Sequence, residues 1–208
     1  MSEEINETEE NTNTENEITA DSKLKQLALQ VLGISEDFGN FDNEDDEVIK
    51  KINFGYESLI KQTLSEYRWS FATLTEKLIT KTNTTDNKYS YAYTLPQDFL
   101  VLINPFTSKE RVSLIQDYEI SGSFYTNSDS VYLNYIKRVD TSLFPDYFIQ
   151  FIKYKIALDK CMLLTGDTEL LQFLNTKTTE QYIIAKRLDA KQQPDKITRS
   201  NPYYNARF

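Results

Sequence analysis

The sequence predicts an α+β protein that is mainly helical: a helix bundle with a small antiparallel β lobe inserted between the helix pairs. Three observations lead there. Apolar residues recur every three or four positions through 24–31, 48–78 and 148–188, which is the helical period. In between, the period falls to two, with Tyr89, Tyr91, Tyr93 and Leu95 alternating with Ser90, Ala92 and Thr94. Finally, Gly166-Asp167 joins two long helical stretches by a link so short that they must lie antiparallel.

Residues 1–20 are rich in Glu, Asn and Thr and lack the apolar content that offsets the entropy of ordering. They read as an acidic arm, disordered unless a partner orders it. N-terminal helices are expected over 21–85. The first has Asp21 or Ser22 as N-cap, Leu24, Leu27, Ala28 and Val31 on one face, and Gly33 just past its end. After an acidic loop, Val48, Ile52, Tyr56, Leu59, Thr63, Tyr67, Phe71, Leu74 and Leu78 keep the helical spacing. They form one long helix, or two with a break near 68–70.

Residues 86–139 form the β lobe. Pro96 ends its first strand, and β-like runs follow at 100–103, 111–115 and 118–120. The runs 124–126 and 131–136 flank Asn127-Ser128-Asp129-Ser130, a polar link that reads as a hairpin turn. Val131, Leu133 and Tyr135 face one way there, Tyr132 and Asn134 the other. A C-terminal helix hairpin over 140–193 completes the bundle. Its first helix, 146–165, is apolar nearly all round and so needs cover on several sides. Gly166 and Asp167 stop one helix and cap the next. Leu171, Leu174, Thr178, Tyr182, Ala185 and Leu188 stripe the second helix, which ends near Pro194. Residues 194–208 are an extended aromatic tail.

A chain of 208 residues can bury one good core with a lobe attached. Its formal charge of −9 is unevenly placed. Residues 1–21 hold eight acids and no base, and a second acidic cluster spans Glu36 to Glu47. Residues 48–208 hold 17 acids against 21 bases. The acidity therefore belongs to the arm, and no basic face announces nucleic-acid binding. No apolar run is long enough for a transmembrane helix, and the N-terminus carries neither a basic leader nor an apolar core, so neither membrane nor secretory signal is expected. Without histidine there is no Ser-His or Cys-His nucleophile and no His-ligated metal. The lone Cys161 excludes an internal disulfide and a cysteine-rich zinc site, and its apolar helical setting makes it a small core hydrophobe. The expectation is a protein without catalytic, cofactor or metal residues.

Several strings occur in a telling order: Arg68-Trp69-Ser70-Phe71-Ala72, Tyr91-Ala92-Tyr93-Thr94-Leu95-Pro96-Gln97-Asp98, Tyr118-Glu119-Ile120-Ser121-Gly122, Leu133-Asn134-Tyr135-Ile136 and Leu143-Phe144-Pro145-Asp146. In that order the chain, over roughly 55–207, resembles the head-to-tail adaptor, or tail tubular protein A, family of short-tailed bacteriophages. Trp69, Phe71, Leu95, Pro96, Asp98 and Pro145 carry the match. It departs from the family in having Arg68 where many relatives have proline, and in its longer acidic arm. The resemblance implies a structural virion protein, one subunit of a twelve-fold ring that joins the portal protein to the tail nozzle or tail ring proteins. Such a ring leaves a channel for genomic DNA without sequence-specific binding. Its expected place is the head–tail junction of the virion, after assembly in the host cytoplasm.

Trp69 and Phe71 are expected between the long helix and the C-terminal hairpin, or else at a subunit boundary. Tyr89, Tyr91 and Tyr93 suit a subunit or portal interface, and equally an ordinary cross-strand aromatic ladder. Asp98 is expected to cap the turn after Pro96 with its carboxylate. Tyr203, Tyr204, Arg207 and Phe208 combine residue types favoured at binding hot spots, so the tail either inserts into a groove on a neighbour or on the portal, or is a frayed terminus. The arm either docks on a basic partner, delays ring closure or is simply solvated. Two other functions compete. One is a glycan hydrolase using carboxylates such as Asp129, Asp140 and Asp146. The other is a stand-alone glycan- or peptide-binding module built on the tyrosine-rich sheet.

Overall fold

The structure is a computed structural model that describes residues 18–192 apart from 40, 44 and 85–87. The predicted arm up to residue 17, and the tail residues Tyr203, Tyr204, Arg207 and Phe208, lie outside the described residues. The fold is α+β, with helices and two small antiparallel sheets.

Helix α1 spans Ala20–Val31 and is capped by Thr19, whose hydroxyl accepts from Ser22 N at 3.1 Å. The cap is neither Asp21 nor Ser22, because Asp21 Oδ1 is taken by the hydroxyls of Tyr56 (2.8 Å) and Thr141 (2.7 Å). Gly33, with φ of 81°, turns the chain away after Leu32, as expected of a residue just past a helix. Helix α2, Glu47–Asn53, opens on Asp46, whose carboxylate accepts from Val48 N and Ile49 N. Gly55 in the left-handed region separates it from α3, Tyr56–Ser65.

The helical spacing read through Leu78 overruns the helix. After Ser65 the chain makes a short 3-10 turn at Ser70–Ala72 and becomes strand β1, Thr73–Lys77. Tyr67, Phe71, Leu74 and Leu78 fit a helical period by count alone. In space Tyr67 and Phe71 pack on the helical core, while Leu74 and Leu78 pack in the lobe. The N-terminal helical region therefore ends well before 85, and the lobe draws in 73–83.

The lobe continues with β2 (Lys81–Asn83), β3 (Tyr91–Thr94), β4 (Phe99–Phe106), β5 (Tyr118–Ser121), β6 (Ser123–Thr126) and β7 (Tyr132–Lys137). One sheet has the order β1-β7-β4, the other β2-β3-β6-β5, and every pairing is antiparallel. The sheets face each other over Tyr93, Phe124, Val131, Leu133 and Tyr135. The predicted hairpin across Asn127–Ser130 does not form. Those residues carry the chain from one sheet to the other, and the tight hairpin is instead β5–β6 around Gly122, with φ of 69°. The alternation in β7 is as expected, since Leu133 and Tyr135 enter the lobe core, and Ile136 on the opposite face joins the helical core. The run at 111–115 makes only one bridge, Leu114 to Phe106.

Helices α4 (Asp146–Leu164) and α5 (Thr168–Ala190) form the C-terminal hairpin. Helix α4 is central: α1, α2 and α3 pack against it, and so does α5. Phe148, Phe151, Ile152, Ile156 and Cys161 are fully buried on it, each large apolar side chain contributing about 1.5–3 kcal/mol of transfer free energy. At the bend, Gly166 adopts φ of 67° and Asp167 accepts from Glu169 N (2.8 Å) and Leu170 N (3.0 Å). No helix among the described residues is long and apolar enough to cross a membrane.

Candidate interaction surfaces

Trp69 lies at the junction of the helices and is fully buried. Its indole Nε1 donates to Thr63 O at 3.2 Å. The rings of Tyr67 and Phe148 stand edge-on to it, each at 4.9 Å. Phe71 continues the cluster toward Phe148 (5.0 Å) and Phe144 (5.9 Å). Trp69 is therefore core, and Phe71 packs half-buried against it. Between them, Ser70 is held by a carboxylate from the far end of the chain. Asp189, fully buried on α5, accepts from Ser70 N (3.0 Å), Ser70 Oγ (2.7 Å) and the Tyr147 hydroxyl (2.8 Å). Burial, then that bond, pushes the Tyr147 phenol up to about 12. The sequence carried a signal for this latch. Asp189 falls four residues after Ala185 and seven after Tyr182, in phase with the apolar stripe, where a carboxylate needs donors.

A second polar cluster ties α1 to α3 and to the chain leaving the lobe. Besides the two bonds to Asp21, Arg138 forms a bidentate pair with Glu57, both contacts at 2.9 Å. That pairing holds the Glu57 carboxyl below its ordinary range. Pro145 opens α4 from the N-cap position.

The tyrosine row is mostly turned inward. Tyr89 and Tyr93 are buried, so they cannot present an interface as surface rings. Tyr93 donates to Ser128 O (2.9 Å), and Tyr89 donates to Asp117 Oδ1 (3.0 Å). Only Tyr91 stays half-exposed, with the Lys81 ammonium 4.0 Å from its ring centre. The cross-strand packing follows from register: Tyr93 sits opposite Phe124, and both fall on the face that meets the other sheet.

Asp98 does not use its carboxylate on the turn after Pro96. The backbone closes that turn, Phe99 N to Pro96 O at 3.2 Å, while Asp98 Oδ1 accepts from the Tyr135 hydroxyl at 3.2 Å. Glu76 Oε2 stands 3.1 Å from the same hydroxyl. Burial, with these carboxylates, pushes the Tyr135 phenol up. Leu95 packs at the rim of the lobe core.

Two of the three carboxylates that a hydrolase would draw on are engaged elsewhere. Asp129 pairs with Lys81, and Asp140 accepts from Ser142 N at 2.9 Å. The Lys81 bond lowers the Asp129 carboxyl, and the Ser142 bonds lower that of Asp140, the wrong direction for a general acid. Asp146 is exposed in the first turn of α4. Two open grooves stand out among the described residues. One, of about 560 Å³, runs between residues 65–68 and Val101, Leu102, Ile103 and Ile136, and the other, of about 450 Å³, lies along α1 beside Asp37. Among the described residues no group of three or more potential ligands gathers for a metal ion.

What the surface does display is apolar side chains. On α5, Phe173, Lys177, Glu180 and Ile184 share one face by helical spacing. Phe173 is 53 % exposed and the flanking Ile183 59 %. Met162 and Leu163 at the end of α4 are exposed as well. No protein-family model matches the chain, and no curated protein matches it.

Proposed function

We propose that this chain is a structural virion protein: a head-to-tail connector subunit that forms a ring between a portal protein and the tail, with an axial channel for genomic DNA. The observation that carries this reading is the exposed apolar side chains on the outer side of α5, Phe173 toward its start and Ile183 and Ile184 toward its end, with the Lys177–Glu180 ion pair between them. A helix whose inner face is satisfied by α4, and whose outer face still holds Phe173, Ile183 and Ile184, suits a surface meant for neighbouring copies. The order of the Trp69, Pro96 and Pro145 strings supports the connector assignment by resemblance. A stand-alone binding module on the tyrosine sheet finds no such support, because Tyr89 and Tyr93 are buried.

Light scattering of the full chain, alone and with a portal ring, tests the proposal. The expected result is a monomer or small oligomer alone and a ring-sized complex with the portal. A monomer indifferent to the portal would overturn it.

A further inference from the structure

The lobe's four-stranded sheet ends in two strands, β2 on one side and β5 on the other, each with one edge unpaired among the described residues. Along an antiparallel strand, successive residues turn their N–H and C=O groups to opposite sides. On the β2 side, Thr84 N bonds Ser90 O and Thr94 N bonds Thr80 O. Residues 80, 82 and 84 therefore face β3, and Lys81 and Asn83 offer their backbone groups outward. Carrying the same alternation through the registers of β3 and β6, Glu119 and Ser121 face β6, so Tyr118 and Ile120 offer theirs outward.

Strand polarity decides what can meet what. Four strands paired antiparallel throughout leave β2 and β5 running in opposite directions. A second copy set beside the first in the same orientation therefore brings its β2 against β5 in antiparallel fashion. The three-stranded sheet cannot do this, since β1 and β4 run the same way and copies would meet in parallel.

We propose that copies of this chain join through this sheet, β5 of one against β2 of the next, in a head-to-tail contact of the kind that closes into rings. This deepens the connector reading and rests on its premise of a ring. Three features favour β2 of another copy as the occupant. Two-fold pairing of β5 with itself in the register centred on Glu119 would set Glu119 against Glu119, a like-charge pair, whereas full overlap with β2 sets Glu119 opposite the neutral Thr82. Lys81, a residue type that guards edge strands, is drawn inward by Asp129 and lies over Tyr91. Tyr118 and Ile120, 37 % and 39 % exposed, share the face of Lys81 and Asn83, so the joined sheet would cover the rim of the lobe core.

Thr82 and Glu119 would then form a non-hydrogen-bonded pair on the other face, with Cα atoms about 4.5 Å apart, within disulfide range. Both are exposed, and the native Cys161 is buried. Thr82→Cys and Glu119→Cys proteins, each checked for an unchanged melting curve, are mixed under mild oxidation. The mixed disulfide should exceed either homodimer by about tenfold, because the contact raises the local thiol concentration. The double variant should give a ladder of linked copies. A mixed product no stronger than that of a control pair at exposed helix positions, Ser58→Cys with Lys50→Cys, overturns the proposal. So does a dominant Glu119→Cys homodimer. The two readings fail separately. Portal-dependent rings without the 82–119 disulfide leave the connector standing and remove this contact. The disulfide without any response to the portal does the reverse.

Discussion

Asp189 shows what one residue does in this molecule. It is a fully buried carboxylate whose described partners are neutral donors: the Ser70 amide, the Ser70 hydroxyl and the Tyr147 phenol. Asp189→Ala strands those donors without acceptors, and urea titration should register a loss of about 1–3 kcal/mol. Asp189→Asn, which keeps one acceptor oxygen, should lose less. A wild-type midpoint for the alanine variant would mean that something else holds Ser70. The partner phenol adds a pH dependence. Tyr147 is raised from 10.0 to about 12, so the folded state keeps its proton where the unfolded chain has released it. Its contribution is full below pH 10 and is lost as pH climbs through about 12. The stability gap between wild type and Tyr147→Phe should therefore narrow over that interval, and a constant gap would disprove the link.

At the scale of elements, the bend between α4 and α5 depends on two adjacent residues with separate tasks. Gly166 takes a left-handed φ of 67°, and Asp167 satisfies two of the free amides at the start of α5. Asp167→Ala should cost about 1 kcal/mol in equilibrium denaturation, the usual worth of an N-cap. This bend was legible in the sequence because cap and period agreed there, and α1, α4 and α5 were legible from their period, although α1 is capped by Thr19 rather than Asp21 or Ser22. Strand β1 was not. Tyr67, Phe71, Leu74 and Leu78 keep a helical count across a turn at which Ser70 is held by Asp189, more than a hundred residues away in sequence. The β5–β6 hairpin was missed for a related reason. Asn127–Ser130 has better turn chemistry than Ser121-Gly122-Ser123, yet which strands pair is decided by how the two sheets stack. The tyrosine row showed its alternation but not its direction, since an aromatic face reads the same whether it meets water or a second sheet.

The whole molecule divides its apolar residues between two uses. Trp69, Phe148, Phe151 and their neighbours close the helical core, and Tyr93, Phe124 and Tyr135 close the lobe. Latches on Asp189 and Glu57 join distant stretches of chain, so folding does not call on the outer face of α5. Replacing Phe173, Ile183 and Ile184 there by serine should therefore leave the monomer's stability nearly unchanged, within about 0.5 kcal/mol per site, as for surface substitutions generally. Assembly should respond differently. If neighbouring copies bury those three side chains, their loss should weaken portal-dependent ring formation by at least about tenfold, the effect of removing little more than 1 kcal/mol of contact free energy. Sedimentation of the triple variant with a portal ring, beside its melting curve, separates the two uses. A variant that melts early would place this face in the fold. One that melts normally and still assembles like the wild type would show that these apolar side chains are not where copies meet.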